Sequence, residues 1–508
     1  MKTGFLRSSN NHTVKITDIP VYTGNRFTEQ LEKMLMDAGR LCSMFAVRSE
    51  KNIKVYAVFA DDLTAGLYIA CGEFQAGERY PSLAARYPQI QLFEREIYEQ
   101  TGLFPENHPW LKPVRFPPEP LFPDLHATRI GETDYFRVEG EEIHQVAVGP
   151  VHAGIIEPGH FRFQCQGETV FHLEISLGYQ HRGIEEHIKG GPYPVTPHQM
   201  EVVAGDTSIG HMTAYCRAIE SLSGCQVSPF AQRIRAFALE LERCANHTGD
   251  LGALAGDVGF LPTMSYCGRI RGDFLNLTAL LCGNRFGRGL VVPGGIGCTI
   301  DEQREEELAK RIAVVLADFT SATGLLWSTA SVADRFETTG SLTRETAESI
   351  GLVGPAARAC GCVHDVRQDH PYGYYRYAHI PASSCDTGDV FGRAHVRWQE
   401  VQASVAFILE EIASAKNGPS ADRTAIFNID PAMRLVSDSL TVSLVEGWRG
   451  EICHVVVTDH QGRFAAYKIT DPSFHNWFGL ALALRDQQIS DFPLCNKSFN
   501  LSYCGFDL

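Results

Sequence analysis

Hydrophobic and polar positions recur with two different periods along the first hundred residues. Residues 27–41 place apolar side chains three and four positions apart, which predicts an amphipathic helix. Residues 55–60 and 67–70 are short apolar runs rich in Val, Tyr, Phe and Ile, and they predict strands. Residues 91–100 predict a second helix. The N-terminal part should therefore be a small α/β module.

A proline-rich stretch follows this module. Residues 113–124 contain five prolines. Proline fixes φ and lacks a backbone donor, so the stretch cannot be a helix and suits a stiff, extended linker. We place the domain boundary here, with one domain at residues 1–125 and a second at residues 126–508.

The second domain begins with strand-like alternation and continues with helical periodicity. Within residues 134–178, apolar and polar residues alternate at 136–138, 143–148, 161–163 and 170–175, which predicts antiparallel strands. Long helical patterns follow. The predicted fold class is α+β, with the small N-terminal α/β domain followed by a large, mainly α domain that has an antiparallel β portion.

Two helix starts in this second domain have local signals. Ser228 before Pro229 is the combination of a capping residue and a first-turn proline. Asp301 opens the pattern of residues 301–319, which places acidic side chains at the positive end of the helix dipole. Both patterns predict long helices with a buried apolar face.

Composition and charge exclude several classes of protein. The 508 residues carry a net charge of -15, and 44% of them are hydrophobic. Nucleic-acid binding needs clustered basic residues, so we expect no nucleic-acid partner. Residues 1–15 lack the apolar run of a signal peptide. No apolar run reaches the roughly 18 residues of a membrane-spanning helix, so we expect no transmembrane span.

The 15 cysteines do not form a metal-binding pattern. Zinc and iron–sulfur sites usually draw on CxxC pairs, and the closest pair here is Cys360 and Cys362. We expect most of the cysteines to be small buried hydrophobic residues and this chain to bind no metal.

The first polar motif is the segment 178–190. Arg182, Gly183 and Glu185 stand where a β-rich segment turns into a helix. Arg182 and Glu185 could simply cap the helix and pair with neighbours. Alternatively, Glu185 is a buried proton carrier, because loss of solvent raises the pKa of a carboxyl group into the working range.

A second polar segment, residues 201–211, leads into a helix that we predict for residues 212–222. It contains Asp206, Thr207 and His211, together with glycines that would let the backbone approach another group closely. A histidine at a helix start is most often structural, so a functional role for His211 depends on what surrounds it.

A third segment, residues 354–372, is dense in charge and includes Arg358, Asp365 and Asp369. Such a segment is either a solvated loop, or a charged relay or positioning network.

Two glycine-containing segments offer no phosphate site. Residues 386–393 are typical of a loop with a fixed ion pair between Asp and Arg rather than of a phosphate cradle. Residues 293–297 lack the GxGxxG pattern and a following Rossmann helix, so they give little support for a nucleotide site.

Taken in order, these motifs resemble the catalytic large subunit of membrane-bound, energy-converting (group 4) nickel–iron hydrogenases and the related quinone-site large subunit of respiratory complex I. The N-terminal module resembles the small complex I subunit often fused to it. The motifs that carry the resemblance are residues 149–163, 181–190, the His211 segment, residues 358–372 and the DPSFHN turn at residues 471–476.

The sequence departs from the hydrogenase pattern at the nickel ligands. Such hydrogenases hold nickel with four cysteines, whose positions fall here on Ala204, Thr207, Ser473 and Asn476. Nickel in this setting needs soft thiolate ligands, which these side chains do not provide. We therefore expect no nickel–iron centre. Asp206 and His475 remain as polar groups in the same two segments, and we do not expect them to bind another metal.

The sequence also departs from the complex I pattern. The resemblance to complex I implies that quinone reduction uses a tyrosine near the position of Gly205 and two histidines in the first β-turn. Here the tyrosine is absent; His152 remains, and the second histidine position falls on Ile156. A quinone site is implied by the resemblance alone, with His152, Asp206, Thr207, Ser473, His475 and Asn476 as the candidate cofactor-binding residues.

The resemblance implies a function for the whole chain. We expect a peripheral subunit on the cytoplasmic side of the cell membrane, in a complex I-like oxidoreductase of the NADH dehydrogenase and hydrogenase type. An iron–sulfur small subunit would supply electrons to quinone or a similar acceptor, and membrane subunits would complete the complex. The candidate catalytic residues are Glu185, Arg182, His211, Arg358, Asp365 and Asp369. A coupling or scaffold subunit without chemistry is the alternative, and an active hydrogenase is the least favoured.

Overall fold

The computed structural model describes residues 4–37, 39–48, 52–116, 134–154, 156–416 and 434–508. Most of the predicted proline-rich linker lies outside the described residues. Pro113, its first proline, follows the N-terminal module in a segment without helix or strand.

The N-terminal module consists of a five-stranded mixed sheet, a separate parallel pair of short strands and two helices. Its elements are β1 (Leu6–Ser8), β2 (Val14–Lys15), β3 (Val21–Thr23), α1 (Gly24–Met36), β4 (Arg40–Arg48), β5 (Asn52–Asp61), β6 (Gly66–Gln75), β7 (Arg79–Pro81), α2 (Gln91–Thr101) and β8 (Phe104–Glu106). Strands β4, β5 and β6 are antiparallel neighbours, while β1 and β3 both pair with β6. Strands β7 and β8 form the separate pair, and β2 joins the C-terminal sheet. The predicted strands and second helix of this module are confirmed.

The first predicted helix was placed too far along the chain. We expected it at residues 27–41, but α1 ends at Met36 and Arg40 already begins β4. The apolar stripe of the helix runs directly into the apolar residues of a strand that is buried on both faces. Periodicity could not separate the two elements for this reason.

The second domain opens with an antiparallel sheet of β9 (Ile143–Val148), β10 (His160–Gln166) and β11 (Thr169–Ser176). These strands match three of the four predicted alternating segments. The fourth, residues 136–138, is not a strand. The Phe136 ring instead packs against His172 of β11 at a tilt of 51°, with the ring centroids 4.6 Å apart.

Helices dominate the middle of the chain. In order they are α3 (Ile184–His187), α4 (Thr196–Met200), α5 (Ser208–Ser223), α6 (Pro229–Asp257), α7 (Leu261–Cys282), α8 (Glu302–Trp327), α9 (Ala330–Phe336), α10 (Arg344–Ile350), α11 (Gly354–Arg358), α12 (Val366–Asp369) and α13 (Val390–Lys416). Between α7 and α8 lies a two-stranded ribbon of β12 (Val291–Val292) and β13 (Gly295–Ile296). The long helix α6 packs against both α7 and α13.

Both predicted helix caps are confirmed. The Ser228 side chain accepts a hydrogen bond from Ala231 N at the start of α6, and the Asp301 side chain accepts one from Arg304 N at the start of α8. The predicted ion pair within residues 386–393 is wrong. Asp389 accepts hydrogen bonds from Thr387 and from the backbone of Gly392, whereas Arg393 donates to Ser498.

The chain ends in a further antiparallel sheet and three helices: β14 (Ser439–Gly447), β15 (Gly450–Thr458), β16 (Phe464–Thr470), α14 (Pro472–Ala483), α15 (Phe492–Phe499) and α16 (Tyr503–Phe506). The short strand β2 from the N-terminal part pairs with β14 at the edge of this sheet. Every residue of β14 and β15 is buried. This sheet therefore lies in the middle of the protein, with α5 packed on it.

Candidate functional site

The His211 segment (residues 201–211) and the DPSFHN turn (residues 471–476) meet at a buried hydrogen bond. Nε2 of His211, in α5, lies 3.0 Å from Oδ2 of Asp471, the residue that caps α14. The other carboxylate oxygen of Asp471 accepts from the backbone N of Ser473 at 2.7 Å. Both side chains are almost completely buried. Helix capping thus fixes the carboxylate that orients His211.

The hydrogen-bonded chain continues beyond His211. Nδ1 of His211 lies 3.1 Å from Nε2 of His454 on β15, and Nδ1 of His454 lies 2.8 Å from the hydroxyl of Tyr467 on β16. All of these side chains are buried. Asp471, His211, His454 and Tyr467 form a continuous line of groups that can exchange protons, and we call this line the His211 relay.

The pKa shifts of the relay residues indicate which side chains are ionised and which are neutral. Burial would raise the pKa of Asp471, but the hydrogen bond and charge of His211 outweigh burial and lower that pKa. Burial, with a smaller effect of His211, holds the pKa of His454 well below its usual value, so that ring is neutral. An ionised Asp471 only accepts, so Nε2–H of His211 donates to it. When His211 is neutral, its Nδ1 accepts Nε2–H of His454, and Nδ1 of His454 accepts the Tyr467 hydroxyl.

Asp206 and Thr207 are held by an arginine that the sequence did not indicate. Arg449 lies in the two-residue turn between β14 and β15, and its guanidinium contacts the Asp206 carboxylate at 2.6 and 2.7 Å. Arg449 also donates to the Thr207 hydroxyl at 3.2 Å. Burial would raise the pKa of Asp206, but Arg449 outweighs it and lowers that pKa. The turn approaches α11 so closely that a side chain at Gly354 would collide with the Arg449 carbonyl.

The side chains at the other nickel-ligand positions are also committed to internal contacts. Ser473 Oγ accepts from the backbone N of Ser502 at 2.8 Å. The Asn476 amide exchanges two hydrogen bonds with the backbone of Val353, each 3.0 Å long. Ala204 is fully buried. Ser473 and Asn476 therefore tie α14 to the segments that carry Ser502 and Val353.

His475 also lies in α14, but its side chain packs against the N-terminal module. Its ring packs edge-on against Phe93 of α2, with the centroids 5.7 Å apart. Burial lowers the pKa of His475 to about 4. The residue thus joins the N-terminal module to α14 as a neutral imidazole.

Arg182 and Glu185 both bond to neighbouring elements. Arg182 donates to the carbonyls of Val202 and Val203, at 2.7 and 2.8 Å, and so holds the loop that leads to Asp206. Glu185 accepts from the backbone N of Ile469 at 2.9 Å and pairs with Lys468 at 3.1 Å.

Glu185 belongs to a cluster of alternating charges. Lys468 also pairs with Glu96 of α2 at 2.6 Å, and Glu96 pairs in turn with Arg115. Lys468, Glu96 and Arg115 are each at least nine-tenths buried. The cluster lies between the two predicted domains. Lys468 follows Tyr467 in β16, but consecutive side chains of a strand point to opposite faces, so the cluster and the relay lie on opposite faces of the sheet.

Arg358 and Asp365 lie in a second buried ion network. Arg358 is fully buried and pairs with Glu400 of α13 at 2.6 Å and with Glu446 of β14 at 2.9 Å. Asp365 pairs with Arg367 at 2.7 Å. The solvated-loop interpretation of this segment is therefore wrong, because carboxylates from distant elements cover it.

The pKa values of the carboxyl groups in this segment and network shift in different directions. Burial would raise the pKa of Asp365, but Arg367 and Arg358 lower it. Burial and the charge of Asp365 raise the pKa of Glu446 to about 7, despite its arginine neighbours. Asp369 accepts from the backbone N of Asp365 at 2.8 Å, and burial with nearby carboxylates raises its pKa to about 6. Both carboxyl groups can therefore exchange protons near neutral pH.

His152 makes a local contact in the connection between β9 and β10. Its Nε2 lies 2.9 Å from the carbonyl of Gly159. Beside it, Val151 and Ile156 are 75% and 59% exposed. This connection is an apolar surface loop that carries one half-buried histidine.

Sequence reasoning missed His454, Tyr467, Arg449 and Glu400. His454 and Tyr467 stand in strands that read as ordinary buried β-structure, and Arg449 stands in a hairpin turn. The one available signal was the presence of polar residues in otherwise apolar strands, which indicates buried polar groups with partners.

Known proteins resemble both parts of the chain. Residues 26–126 match the family profile of the respiratory-chain NADH dehydrogenase 30 Kd subunit, and residues 257–507 match that of the 49 Kd subunit. The carbon monoxide-induced hydrogenase of Rhodospirillum rubrum is 29% identical over 365 residues, covering 70% of this chain and 97% of that protein.

Two further relatives are a hydrogenase subunit and an NADH-quinone oxidoreductase subunit. The membrane-bound hydrogenase subunit alpha of Pyrococcus furiosus is 26% identical and covers 70% of this chain and 85% of its own length. NADH-quinone oxidoreductase subunit 4 of Thermus thermophilus is 28% identical and covers 69% of this chain and 90% of its own length.

The two profile matches and the relatives place the chain among complex I-like and hydrogenase-related oxidoreductase subunits. More particularly, the chain is a fusion of complex I 30 kDa-type and 49 kDa-type domains, homologous to subunits of group 4 hydrogenases and of NADH-quinone oxidoreductases.

The helices were also compared with the requirements of a membrane span. Within the described residues, no single helix is long and apolar enough to cross a membrane. Helices α8 and α9 together reach the required length and composition, but they meet at an angle of 79°.

Proposed function

We propose that this chain is a peripheral subunit of a membrane-bound, complex I-like oxidoreductase and passes electrons from an iron–sulfur cluster of a partner subunit to a quinone or a similar acceptor. The observation that carries the proposal is the hydrogen bond between His211 and Asp471, which joins the two motif segments and begins a buried proton relay. Quinone reduction takes up protons with electrons, so the acceptor site needs such a relay nearby.

We further propose that the site has no nickel–iron centre. The side chains at the four ligand positions provide no thiolate, which nickel in such sites requires. Among the described residues, no group of three or more His, Cys, Asp or Glu side chains is placed to hold a metal ion. The residues present therefore do not fit a nickel site, and the proposed chemistry uses none.

We propose that His211 holds a proton for the site, since both of its ring nitrogens are engaged by Asp471 and His454. In one concerted shift, Tyr467 receives a proton as its own hydroxyl proton moves to Nδ1 of His454 and the Nε2 proton of His454 moves to Nδ1 of His211, so that no tyrosinate forms. The product is an imidazolium at His211, stabilised by the Asp471 carboxylate 3.0 Å away. Glu185 would pass protons within the Lys468 cluster on the opposite face of β16, and Arg358, Asp365 and Asp369 would position β14 and the site.

The remaining predicted residues would form the wall of the acceptor site. His152 and the exposed apolar side chains of Val151 and Ile156 suit contact with a quinone or an apolar partner surface. Asp206, Thr207, Ser473, His475 and Asn476 would hold the segments around that wall in place. The two predicted domains, residues 1–125 and residues 126–508, would together bind the iron–sulfur subunit on the cytoplasmic face of the membrane.

A direct test is the quinone reductase activity of the assembled complex with His211→Gln. We expect a loss of activity of about a hundredfold, since a positioned acid contributes that order of rate. The matched control is His460→Gln, because His460 is an exposed histidine of the β15–β16 connection. Native gel electrophoresis establishes that both variants assemble. Unchanged activity of His211→Gln would contradict the proposal.

A second candidate function has specific support. The polar groups of Thr207, Ser473 and Asn476 all bond to the protein itself, which also suits a coupling subunit without chemistry of its own. Quinone reduction that survives both His211→Gln and Asp471→Asn would favour this function. Stoichiometric nickel in the purified complex would instead favour an active hydrogenase.

A further inference from the structure

A polar pocket of about 330 Å³ lies away from the His211 relay, between α5, α6 and the turn at residues 372–376. Thr213, Arg217 and Ser221 line it from one face of α5, because residues four apart share a helix face. Asn11 closes it from the N-terminal part of the chain, and Arg376 stands at its exposed rim. Its size is that of a small-molecule site.

Arg217 is a buried cation in this pocket without a carboxylate partner among the described residues. One of its terminal nitrogens donates to the carbonyl of Leu444 at 2.8 Å, and the guanidinium stacks on the Tyr372 ring at 4.7 Å. The side chain is only 5% exposed. Burial lowers the pKa of Arg217 to about 9, so the protein alone leaves its charge poorly compensated.

The nearest carboxylate cannot neutralise Arg217. Glu220 lies one turn further along α5, but its two oxygens contact Arg235 at 2.6 and 3.1 Å. It also accepts from the backbone N of Gly294 at 2.8 Å. Glu220 and Arg235 cancel each other, and Arg217 and Arg376 leave the pocket with a positive balance.

Two further buried polar atoms at this pocket lack a partner within the described part of the chain. They are the hydroxyl oxygen of Thr213 and the amide oxygen of Asn11. Each tyrosine hydroxyl of the pocket has a protein partner: Tyr374 donates to Glu411, Tyr375 donates to Glu240, and Tyr372 accepts from the backbone N of Glu446. Buried polar atoms usually have a partner, so two unsatisfied atoms beside a buried cation without a carboxylate partner in the described part of the chain point to a ligand in this cavity.

We propose that this pocket binds a small hydroxylated oxyanion, such as a sugar phosphate or a hydroxycarboxylate. Its oxyanion pairs with Arg217, the Thr213 hydroxyl donates to it, and a hydroxyl of the ligand donates to Asn11 Oδ1. Arg376 attracts the anion at the rim. The site is independent of the electron acceptor site, so it would remain if the proposed function failed.

The test is equilibrium binding to the full chain by calorimetry, with glycerol 3-phosphate and malate as probes and glycerol as the neutral control. We expect one of the two anions to bind and glycerol not to bind. The anion that binds identifies the source of the oxyanion, phosphate or carboxylate. Equal affinity for inorganic phosphate and glycerol 3-phosphate would overturn the proposal that the ligand carries a hydroxyl group.

Substitutions locate the binding. Arg217→Gln should weaken binding about tenfold or more, because charge-assisted hydrogen bonds are lost. Arg311→Gln on the exposed face of α8 is the matched control and should bind as the wild type does. If Arg217→Gln does not fold, Thr213→Val keeps the shape and should weaken binding severalfold. No binding of either anion to the wild type, or unchanged binding in the folded variants, would overturn the proposal.

Discussion

Nε2 of His211 and Oδ2 of Asp471 lie 3.0 Å apart although 260 residues separate them in the chain. This contact fixes the direction of the relay, because an ionised carboxylate can only accept. Asp471→Asn keeps the cap on Ser473 but presents an amide donor to His211. We expect the tautomers of His211 and His454 to reverse and quinone reductase activity to fall about a hundredfold.

Nitrogen-15 NMR of the chain labelled at histidine reports this reversal directly, since protonated and unprotonated ring nitrogens differ in chemical shift. Asp459→Asn is the control, as Asp459 pairs with Arg463 in an exposed turn. Unchanged histidine shifts in Asp471→Asn would show that Asp471 does not set the tautomers.

Tyr467→Phe removes the far end of the relay without changing its shape. Activity should fall about tenfold or more, because the hydroxyl is the group that supplies His454 with a proton. Tyr215→Phe is the matched control: its ring lies 6.4 Å from that of Tyr467 and outside the relay. Stopped-flow measurements in H2O and D2O should show a changed solvent isotope effect for Tyr467→Phe alone. Equal activity of the two variants would refute a proton role for Tyr467.

Arg449→Met should destabilise the fold by leaving Asp206 without its partner. Asp206 is partly exposed, so we expect a cost of about 2 kcal/mol rather than the full cost of a buried pair. The double variant with Asp206→Asn should recover about half of it. Urea unfolding of the four proteins of the cycle measures the coupling. A coupling near zero would mean that the ion pair does not stabilise this turn.

Arg358→Met should be the most destabilising of the proposed variants. It leaves Glu400 and Glu446 buried with one cation fewer, which costs about 3–5 kcal/mol. Arg344→Met is the control, because Arg344 forms an exposed pair with Glu348 one turn away. That change should cost less than about 1 kcal/mol. Similar thermal unfolding temperatures for the two variants would contradict the network.

His475 makes stability depend on acid pH. Its pKa is lowered to about 4 by burial, so the unfolded chain binds a proton that the folded chain refuses as the pH falls from about 6.5 toward 4. Stability is therefore lost over that window, by about 1 kcal/mol between pH 7 and pH 5.5 from this residue alone. His475→Gln should reduce the acid-induced loss by that amount in urea unfolding at the two pH values. An unchanged loss would show that His475 is protonated in the fold.

Local signals allowed part of this structure to be predicted. The cap at Ser228 and the alternation of β10 and β11 each concern residues within one element, so the sequence alone was sufficient. The boundary between α1 and β4 was not predictable in this way, because both elements are apolar and adjacent.

The candidate site was predictable in its motifs but not in its partners. The family resemblance assigned the His211 segment and the turn at residues 471–476 to one site, but Asp471 was not among the predicted site residues. His454 is 243 residues from His211, and no local pattern connects a strand histidine with a helix histidine. Arg358 was compatible with a solvated loop, because the carboxylate of Glu400 that buries it belongs to another helix. Long-range pairing of charges decides such cases.

The most direct test of the central claim follows the iron–sulfur clusters of the detergent-purified complex by electron paramagnetic resonance. The clusters are first reduced, and a quinone is then added with and without a quinone-site inhibitor. The proposed function predicts rapid reoxidation that the inhibitor blocks and that His211→Gln slows. Clusters that stay reduced, in a complex with all subunits present, would contradict electron transfer to a quinone at this site.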